Sequence, residues 1–593
     1  MIFKYFILFI TFFTIFQVSG YSQKKQKPKK SEVIRYPKLI VSITVDQLRG
    51  DYLDRYAKFF IEPSSPKSKD PDKAGFKRFM NKGAWFKSTH YPFIATLTAV
   101  GHQSIYSGVF PSKHGIIGND WFDVNSAKQV YCVSDSTVSG VEIDSKKNQG
   151  KMSPKNAQVE NVFSYLKAER PKSRVIGIAL KNRAAILPAG KQANAAFWFD
   201  DETGKWVSST YYFKDAKSPQ WLKSFNARKI PESHFNSKWE PLLRDEDYFD
   251  ADFGEGEGVI PGDDSEIFPH VLRDLSTLKD PRLRGNKRFD AFAFFPIGNT
   301  FTKDFAKVVI EEESLGQRDH TDVLAISFSS LDICGHTFGP NSREIQDMMI
   351  RLDKDLSDLF QFLDETIGRG RYLATLSSDH GVAPLPEQNY SKWRGGERLN
   401  QKDFEDSLKL RVHKEFPNVI LEVMNNDVYL NHKVITSQKY DLKKVIDAVK
   451  KGLLQFAYIK EAYSRDEINE PNLLQTGTDS SRFFIKNALY PSRSGDVFFV
   501  LKPFSFFKGQ TGTTHGTLQK YDRFVPMAFY GFGVKPKKHL FDTTPLDLAA
   551  TIHKILALKK KVGYDGADLS LALIDKYKPP KSKAPPKKKK KQP

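Results

Sequence analysis

The stretch "PKLIVSITV" at residues 37–45 decides the fold class. It is a continuous apolar run, which is typical of a strand that is covered on both faces within a parallel sheet. Four further runs have the same character, at residues 174–180, 322–330, 372–378 and 525–531. Apolar residues with helical spacing lie between these runs, at residues 46–60, 156–169, 301–313 and 342–367. This alternation predicts an α/β fold with a mainly parallel sheet sandwiched by helices.

Two regions interrupt the alternation and are predicted to be insertions into one large domain that covers residues 37–575. The first, at about 190–290, is rich in aromatic residues and turns and contains a hairpin pattern at residues 195–212. The second, at about 385–510, mixes helical and strand patterns. Because loops and insertions at strand ends commonly build the substrate side of a site, we expect these segments to shape a binding surface.

The two ends of the chain differ in composition from the domain between them. Residues 1–20 have one early lysine and then an apolar run, which predicts a secretory signal peptide and export to the periplasm or the medium. Residues 21–36 predict a basic disordered linker, and residues 576–593 a Lys/Pro-rich disordered tail. The formal net charge of +21 is concentrated in these ends, so no nucleic-acid partner is expected. A solvated tail is the simpler interpretation, with a weak contact to an anionic cell-envelope surface as the alternative.

The chain contains only two cysteines, Cys132 and Cys334. An exported protein with so few cysteines is stabilised by its core and not by a disulfide framework. A single bridge between the two and a pair of buried thiols both remain open.

Carboxylates and imidazoles follow the ends of several predicted strands. In an open parallel sheet ligands bind beyond these ends, where several acids would repel one another without cations. A lone Asp at such a position is usually a turn or a helix cap, but the joint occurrence is a strong signal. Imidazole together with carboxylate suits zinc, and six such groups fit two ions better than one. The six are Asp46, Asp332, His336, Asp379, His380 and His515.

The segment "YPFIATLTAVGHQSIYSGVFPSKHGIIGN" at residues 91–119 places hydroxyl groups at a strand-to-helix junction. Thr98 is either the N-cap of a helix or a nucleophile, and the two interpretations are compatible. Thr96 is the competing nucleophile. The neighbouring histidines have no partner at metal-ligand spacing, so His90, His102 and His114 are interpreted as structural or supporting groups.

Together these motifs resemble the alkaline phosphatase superfamily, and most closely its PafA-type, phosphate-irrepressible bacterial members. The resemblance covers nearly the whole chain between the two basic ends. It implies that Thr98 is the nucleophile and forms a phosphothreonine intermediate. It also implies two Zn²⁺ ions per chain, one bound by Asp332, His336 and His515, and the other by Asp46, Asp379, His380 and Thr98.

Three further residues match this family and indicate the substrate class. Asn119 lies in "HGIIGND", and Lys181 and Arg183 follow a buried strand in "GIALKNR". A phosphate monoester carries two negative charges, and these residues supply cations and a donor for its oxygens. The resemblance therefore implies a monomeric alkaline phosphatase that hydrolyses small-molecule phosphate monoesters.

Two alternatives stay open at this point. A phosphodiesterase or nucleotide pyrophosphatase of the same superfamily would prefer a diester to a monoester. A non-catalytic, metal-bound envelope protein would tolerate loss of the nucleophile or of the ligands.

Overall fold

The computed structural model describes residues 36–64, 72–143, 148–283, 285–388, 395–470 and 480–573. These residues belong to one compact unit that begins at Tyr36. The predicted signal peptide (1–20), all but the last residue of the predicted linker (21–36) and the predicted tail (576–593) lie outside the described residues. Across the described ranges, no helix has both the length and the apolarity that a bilayer span requires.

A ten-stranded sheet forms the centre of the molecule. In chain order its strands are β1 Leu39–Val45, β2 Ala84–His90, β3 Gly140–Val141, β4 Val175–Ala179, β5 Ala195–Asp200, β6 Lys205–Ser209, β7 Asp322–Phe328, β8 Tyr372–Ser377, β9 Phe524–Gly531 and β10 Lys537–Thr543. Their order across the sheet is β10-β2-β9-β8-β1-β7-β4-β5-β6-β3. The inner strands β8, β1, β7, β4 and β5 are mutually parallel, which confirms the predicted α/β class.

The flanking strands depart from the parallel pattern. Strand β9 is antiparallel to both β8 and β2, and β5 and β6 form the antiparallel hairpin expected at residues 195–212. The first part of the predicted insertion at 190–290 therefore extends the central sheet instead of leaving it. The sheet is mixed at its edges and parallel at its centre.

Helices cover both faces of this sheet. The main ones are α1 Thr98–Ser107, α2 Val162–Glu169, α3 Asn182–Ala189, α4 Ile297–Glu312, α5 Ser330–Phe338, α6 Arg343–Leu363 and α7 Asp547–Ile555. Alternate residues of β1 show the two-sided burial directly, because Leu39 and Val41 belong to one apolar core and Ile40 to the other. The continuous apolar run of β1 is thus explained by packing on both faces.

Two helix predictions were too long. Residues 46–60 contain only the short helix Tyr52–Arg55 and the 3-10 turn Ala57–Phe59, because Gln47 adopts a left-handed conformation (φ 66°) that turns the chain after β1. Helix α2 begins at Val162, where the Asn161 side chain accepts a hydrogen bond from the Ser164 amide. An Asn in this role fixes a helix start and ends the pattern predicted from residue 156.

The second predicted insertion contains a small sheet of its own. Its strands are Ile420–Met424, Asp427–Leu430, Ile459–Ser464 and Val497–Leu501, and it packs against the helices Gln401–His413 and Leu442–Leu454. Elsewhere in the chain, Cys132 and Cys334 are both free thiols and both buried, so the alternative of two buried thiols is confirmed.

Candidate active site

The predicted acids meet at the carboxyl ends of three adjacent strands. Asp46 follows β1, Asp332 lies in the first turn of α5 directly after β7, and Asp379 and His380 follow β8. Because β8, β1 and β7 are parallel neighbours, their carboxyl ends open at the same edge of the sheet. His336 lies one helical turn beyond Asp332, as its spacing predicts.

Among the described residues, two groups of acids and histidines could each hold a metal ion. Within each group, the candidate ligand atoms lie within 4.8 Å of one another. The first is the predicted set of Asp332, His336 and His515, with Asp332 Oδ1 3.3 Å from His336 Nε2 and 3.6 Å from His515 Nε2. The second contains Asp46, Asp332 and His380. Asp379, which we predicted in this second set, lies beside it, with Oδ2 3.3 Å from His380 Nε2.

The main chain orients all three imidazoles. The Nδ1 atoms of His336, His515 and His380 donate to the carbonyl oxygens of Thr513, Thr96 and Gly381 at 2.8, 2.7 and 2.9 Å, respectively. This leaves each Nε2 facing the carboxylates. A histidine that ligates a metal usually fixes its second ring nitrogen in this way.

The buried carboxylates of the site carry negative charge that bound cations could neutralise. Lys181 Nζ lies 2.7 Å from Asp46 Oδ2 and also contacts Asp332, so one ammonium group faces two buried carboxylates. Burial and Asp332 act to raise the pKa of Asp46, but Lys181 and His380 outweigh them and hold it below its ordinary value. Burial acts to lower the pKa of His380, whereas Asp379 and Asp46 raise it to about 9. Three buried carboxylates beside open imidazole nitrogens therefore fit divalent metal ions.

Thr98 lies at the mouth of this carboxylate and imidazole cluster. Its Oγ1 is 3.4 Å from His380 Nε2 and 3.4 Å from Arg183 Nη2. Thr98 is the first residue of α1 and Leu97 is the N-cap, so the N-cap interpretation of Thr98 was wrong. The competing Thr96 instead donates its hydroxyl to the Thr517 carbonyl at 3.4 Å.

The other predicted phosphate-binding groups lie around Thr98. The Oδ1 atom of Asn119 accepts the amide N–H of Ala99 at 3.0 Å, which leaves the Asn119 NH₂ group to donate elsewhere. Arg183 also donates from Nη1 to the Tyr131 hydroxyl at 3.3 Å. Lys181 caps the start of α3, and Arg183 lies in its first turn. The structure thus brings Asn119, Lys181 and Arg183 together with the threonine.

The three histidines near the Thr98 segment, His90, His102 and His114, have supporting positions, as predicted. His102 donates from Nδ1 to the Thr98 carbonyl at 2.8 Å, with the same atom 3.2 Å from Asp379 Oδ2. His114 is hydrogen-bonded to Ser104, and His90 stacks on Phe524, so neither belongs to the two groups. The thiol of Cys334 packs in the apolar core, although it lies between two predicted metal ligands in sequence.

Two residues of the site were missed at the level of sequence. The Gln47 side chain donates from Nε2 to Asp332 Oδ1 at 2.7 Å, and the Gln47 main-chain N–H donates to Asp379 Oδ1 at 3.2 Å. Its position next to Asp46 was the available signal. Tyr131 accepts a hydrogen bond from Arg183 through its hydroxyl group. No sequence motif marks Tyr131, because the two residues are distant in the chain and meet only in the folded protein.

Comparison with known proteins gives the class to which this arrangement belongs. Residues 40–523 match the type I phosphodiesterase / nucleotide pyrophosphatase family, and the chain belongs to that family. Alkaline phosphatase PhoV of Synechococcus elongatus is 37% identical over 90% of this chain and 92% of its own. Alkaline phosphatase PafA of Elizabethkingia meningoseptica is 35% identical over 91% of this chain and 95% of its own.

The crystal structure of wild-type PafA superposes with a TM-score of 0.81 at 34% identity and covers 90% of this chain and 98% of that one. Within the family, the chain therefore belongs to the PafA-type alkaline phosphatases, as its motifs predicted. A second solved PafA structure carries substitutions of a threonine, an asparagine, a lysine and an arginine. Their spacing along that chain equals the spacing of Thr98, Asn119, Lys181 and Arg183 in this one.

Proposed function

We propose that this protein is an exported, zinc-dependent alkaline phosphatase that hydrolyses phosphate monoesters through a phosphothreonine intermediate. The observation that carries the proposal is the convergence of Asn119, Lys181 and Arg183 on Thr98 beside a cluster of carboxylates and imidazoles. A dianionic phosphoryl group requires this combination of cations and donors. The names and full-length similarity of PhoV and PafA support the same activity.

The metal-binding part of the proposal follows from the donor set. Asp332, His336 and His515 would hold one zinc ion, and Asp46, Asp379 and His380 the other, with Thr98 as a further ligand. When bound, the two ions supply positive charge beside the nucleophile and the leaving oxygen. The cluster of three buried carboxylates, Asp46, Asp332 and Asp379, supports this assignment, because like charges that are buried together are costly without cations.

The residues of the chain then have distinct roles. Thr98 Oγ1 gives its proton to solvent and attacks phosphorus as the bond to the leaving oxygen breaks, and the leaving oxygen takes a proton from solvent. A water molecule then attacks phosphorus, breaks its bond to Oγ1, and so releases phosphate and restores the Thr98 hydroxyl. The start of α1 favours negative charge at this point. Lys181, Arg183 and the Asn119 amide bind the nonbridging oxygens, on which charge accumulates in the loose transition state. Asn119 is held for this by the Ala99 N–H.

A phosphodiesterase activity is the second candidate, because the matching family is described as type I phosphodiesterase / nucleotide pyrophosphatase. The two differ in charge: a diester has one negative charge, so Lys181 and Arg183 would contribute less to its binding. A diesterase also needs room for a second ester group near the phosphoryl oxygens.

The deciding experiment compares kcat/KM for an aryl phosphate monoester and a methyl aryl phosphate diester, with zinc-loaded protein. We expect a strong preference for the monoester, which is lost in Thr98→Ala and kept in the matched control Thr96→Ala. Acid quenching followed by mass spectrometry should find phosphate on the peptide that contains Thr98. A preference for the diester would favour the second candidate, and inactivity on both would favour a non-catalytic metal-bound protein.

A further inference from the structure

Two cavities flank the candidate active site on different sides. One, of about 210 Å³, is lined by His515 and Leu97 and reaches into the small sheet of the second insertion; we call it the His515 cavity. The other, of about 500 Å³, is lined by Lys181, Arg183 and Phe294 among others; we call it the Lys181 cavity. A substrate whose phosphoryl group lies at Thr98 must extend its organic group towards one of them.

The proposed chemistry selects between the cavities. In an in-line displacement, the leaving oxygen lies opposite the attacking Thr98 oxygen. Under the proposed function, that oxygen lies at the group of Asp332, His336 and His515. Lys181 and Arg183 bind nonbridging oxygens, which carry no organic substituent in a monoester. The organic group therefore continues past His515 and not past Lys181.

The lining of the His515 cavity indicates what it accepts. The inserted segment contributes the rings of Phe506 and Phe507 and the amide side chains of Gln401, Asn425 and Asn426. Among the described residues that line this cavity, none is Lys, Arg, Asp or Glu. Aromatic faces favour another flat ring, and amides can donate to or accept from ring substituents.

The turn that carries Asn425 and Asn426 is hydrogen-bonded to the loop that contains Asn119. Asn425 and Asn426 occupy the tip of the hairpin between Ile420–Met424 and Asp427–Leu430, both with left-handed backbone (φ 53° and 68°). Asn425 Nδ2 donates to the carbonyl of Asp120 at 2.7 Å. Asp120 directly follows Asn119, so the wall of the cavity is linked to the phosphate-binding loop.

We propose that the His515 cavity is the binding subsite for the organic group of the monoester, and that it favours a ring-bearing alcohol with hydrogen-bonding substituents. Phe507 supplies an aromatic face that is only partly buried, and Asn426 supplies an amide. This inference rests on the proposed phosphatase function and specifies its substrate class.

The test measures kcat/KM for phenyl phosphate and methyl phosphate in the zinc-loaded enzyme and in Phe507→Leu. Each variant is compared with wild type on the same substrate, so that the intrinsic reactivity of the ester cancels. We expect a decrease of about fivefold for phenyl phosphate, from loss of a ring contact, and less than about twofold for methyl phosphate. Phe294→Leu, in the Lys181 cavity, is the matched control and should leave kcat/KM unchanged for both phenyl phosphate and methyl phosphate.

A second variant, Asn426→Gly, tests the same cavity if Phe507→Leu does not fold. Asn426→Gly removes the amide at a backbone conformation that glycine adopts without strain. It should lower kcat/KM about two- to tenfold for thymidine 5′-monophosphate, whose base has hydrogen-bonding groups, and leave phenyl phosphate unchanged.

Equal losses on all substrates in both variants, or discrimination by Phe294→Leu instead, would overturn the subsite. Wild-type inactivity on every monoester would instead overturn the proposed function, and the subsite with it. The two failures are therefore distinguishable.

Discussion

Replacement of Lys181 by Met tests whether the Lys181 ammonium group and bound metal ions neutralise the same buried carboxylates. Lys181 Nζ lies 2.7 Å from Asp46 Oδ2, and its side chain is only 11% exposed. At an effective dielectric constant of about 20, this contact alone is worth about 6 kcal/mol of Coulomb energy. Desolvation of the ammonium opposes it, and breaking a buried pair typically costs about 3–5 kcal/mol.

The expected change in melting temperature follows from the size of the chain. The entropy of unfolding is about 2.1 cal/mol/K per residue, hence about 1.2 kcal/mol/K for 593 residues, and Lys181→Met should lower the Tm of the metal-free protein by about 2–4 °C. Zinc should remove most of this difference, because ions neutralise the same carboxylates in both proteins. The zinc-induced rise in Tm is therefore larger in the variant.

Differential scanning calorimetry with and without zinc measures both quantities. Lys303→Met is the control, because Lys303 Nζ forms an ion pair of the same length, 2.7 Å, with the half-exposed Asp358 Oδ2 on the helical layer, away from the site. It should lower Tm by the same amount in both states. If Lys181→Met behaved like this control, or left Tm unchanged without metal, the expectation that metal ions and Lys181 neutralise the same carboxylates would be refuted.

Three further predictions concern other parts of the molecule. Asn119→Asp keeps the acceptor for the helix amide but loses the donor and adds negative charge, so kcat/KM for an aryl monoester should fall about 10–100-fold; an unchanged value would contradict the role of this amide. Burial acts to lower the pKa of His270, but Asp263 and Glu344 raise it from 6.5 to about 9, so its stabilisation is complete below pH 6.5 and is lost as the pH rises through 9. His270→Gln should therefore reduce the free energy of unfolding, measured with urea, more at pH 6 than at pH 10, and equal losses would refute the assignment. Burial raises the pKa of the Cys334 thiol, so a thiol reagent should label this residue only when the protein unfolds, and rapid labelling of the native protein would contradict its position in the core.

The parallel centre of the fold and the meeting of the acidic groups were predictable from local sequence, whereas the roles of Thr98, Asn119, Lys181 and Arg183 came from the family resemblance. The run at residues 37–45 is apolar because both faces of β1 are covered, and this signal needs no knowledge of partners. The ends of parallel strands meet at one edge, so Asp46, Asp332 and Asp379 could be placed together before their distances were known. The DxxxH spacing of Asp332 and His336 likewise follows from a single helical turn.

The parts that sequence did not reveal depend on long-range contacts. The antiparallel direction of β9 is set by its neighbours β8 and β2, and the apolar pattern of a buried strand is the same in either direction. The bend at Gln47 is stabilised by the Asp379 carboxylate, more than three hundred residues away in the chain. The position of Asp332 between both ligand groups also emerged only from the packing of α5 against the His515 loop.

The hydrogen bonds from the imidazole Nδ1 atoms to backbone carbonyls have a consequence for how this site can diverge. A carbonyl oxygen is present at every position, whatever the side chain, so the aim of His336, His380 and His515 depends on the path of the main chain and not on the identity of their hydrogen-bonding partners. Substitutions at Thr96 and Thr513 can therefore accumulate without turning these imidazoles, whereas Gly381 is restricted for a steric reason, because a Cβ atom there would collide with the Tyr521 carbonyl oxygen. Under the proposed function, a residue that faces the substrate, such as Arg183, can therefore be exchanged for a new specificity while the orientation of the three imidazoles is kept.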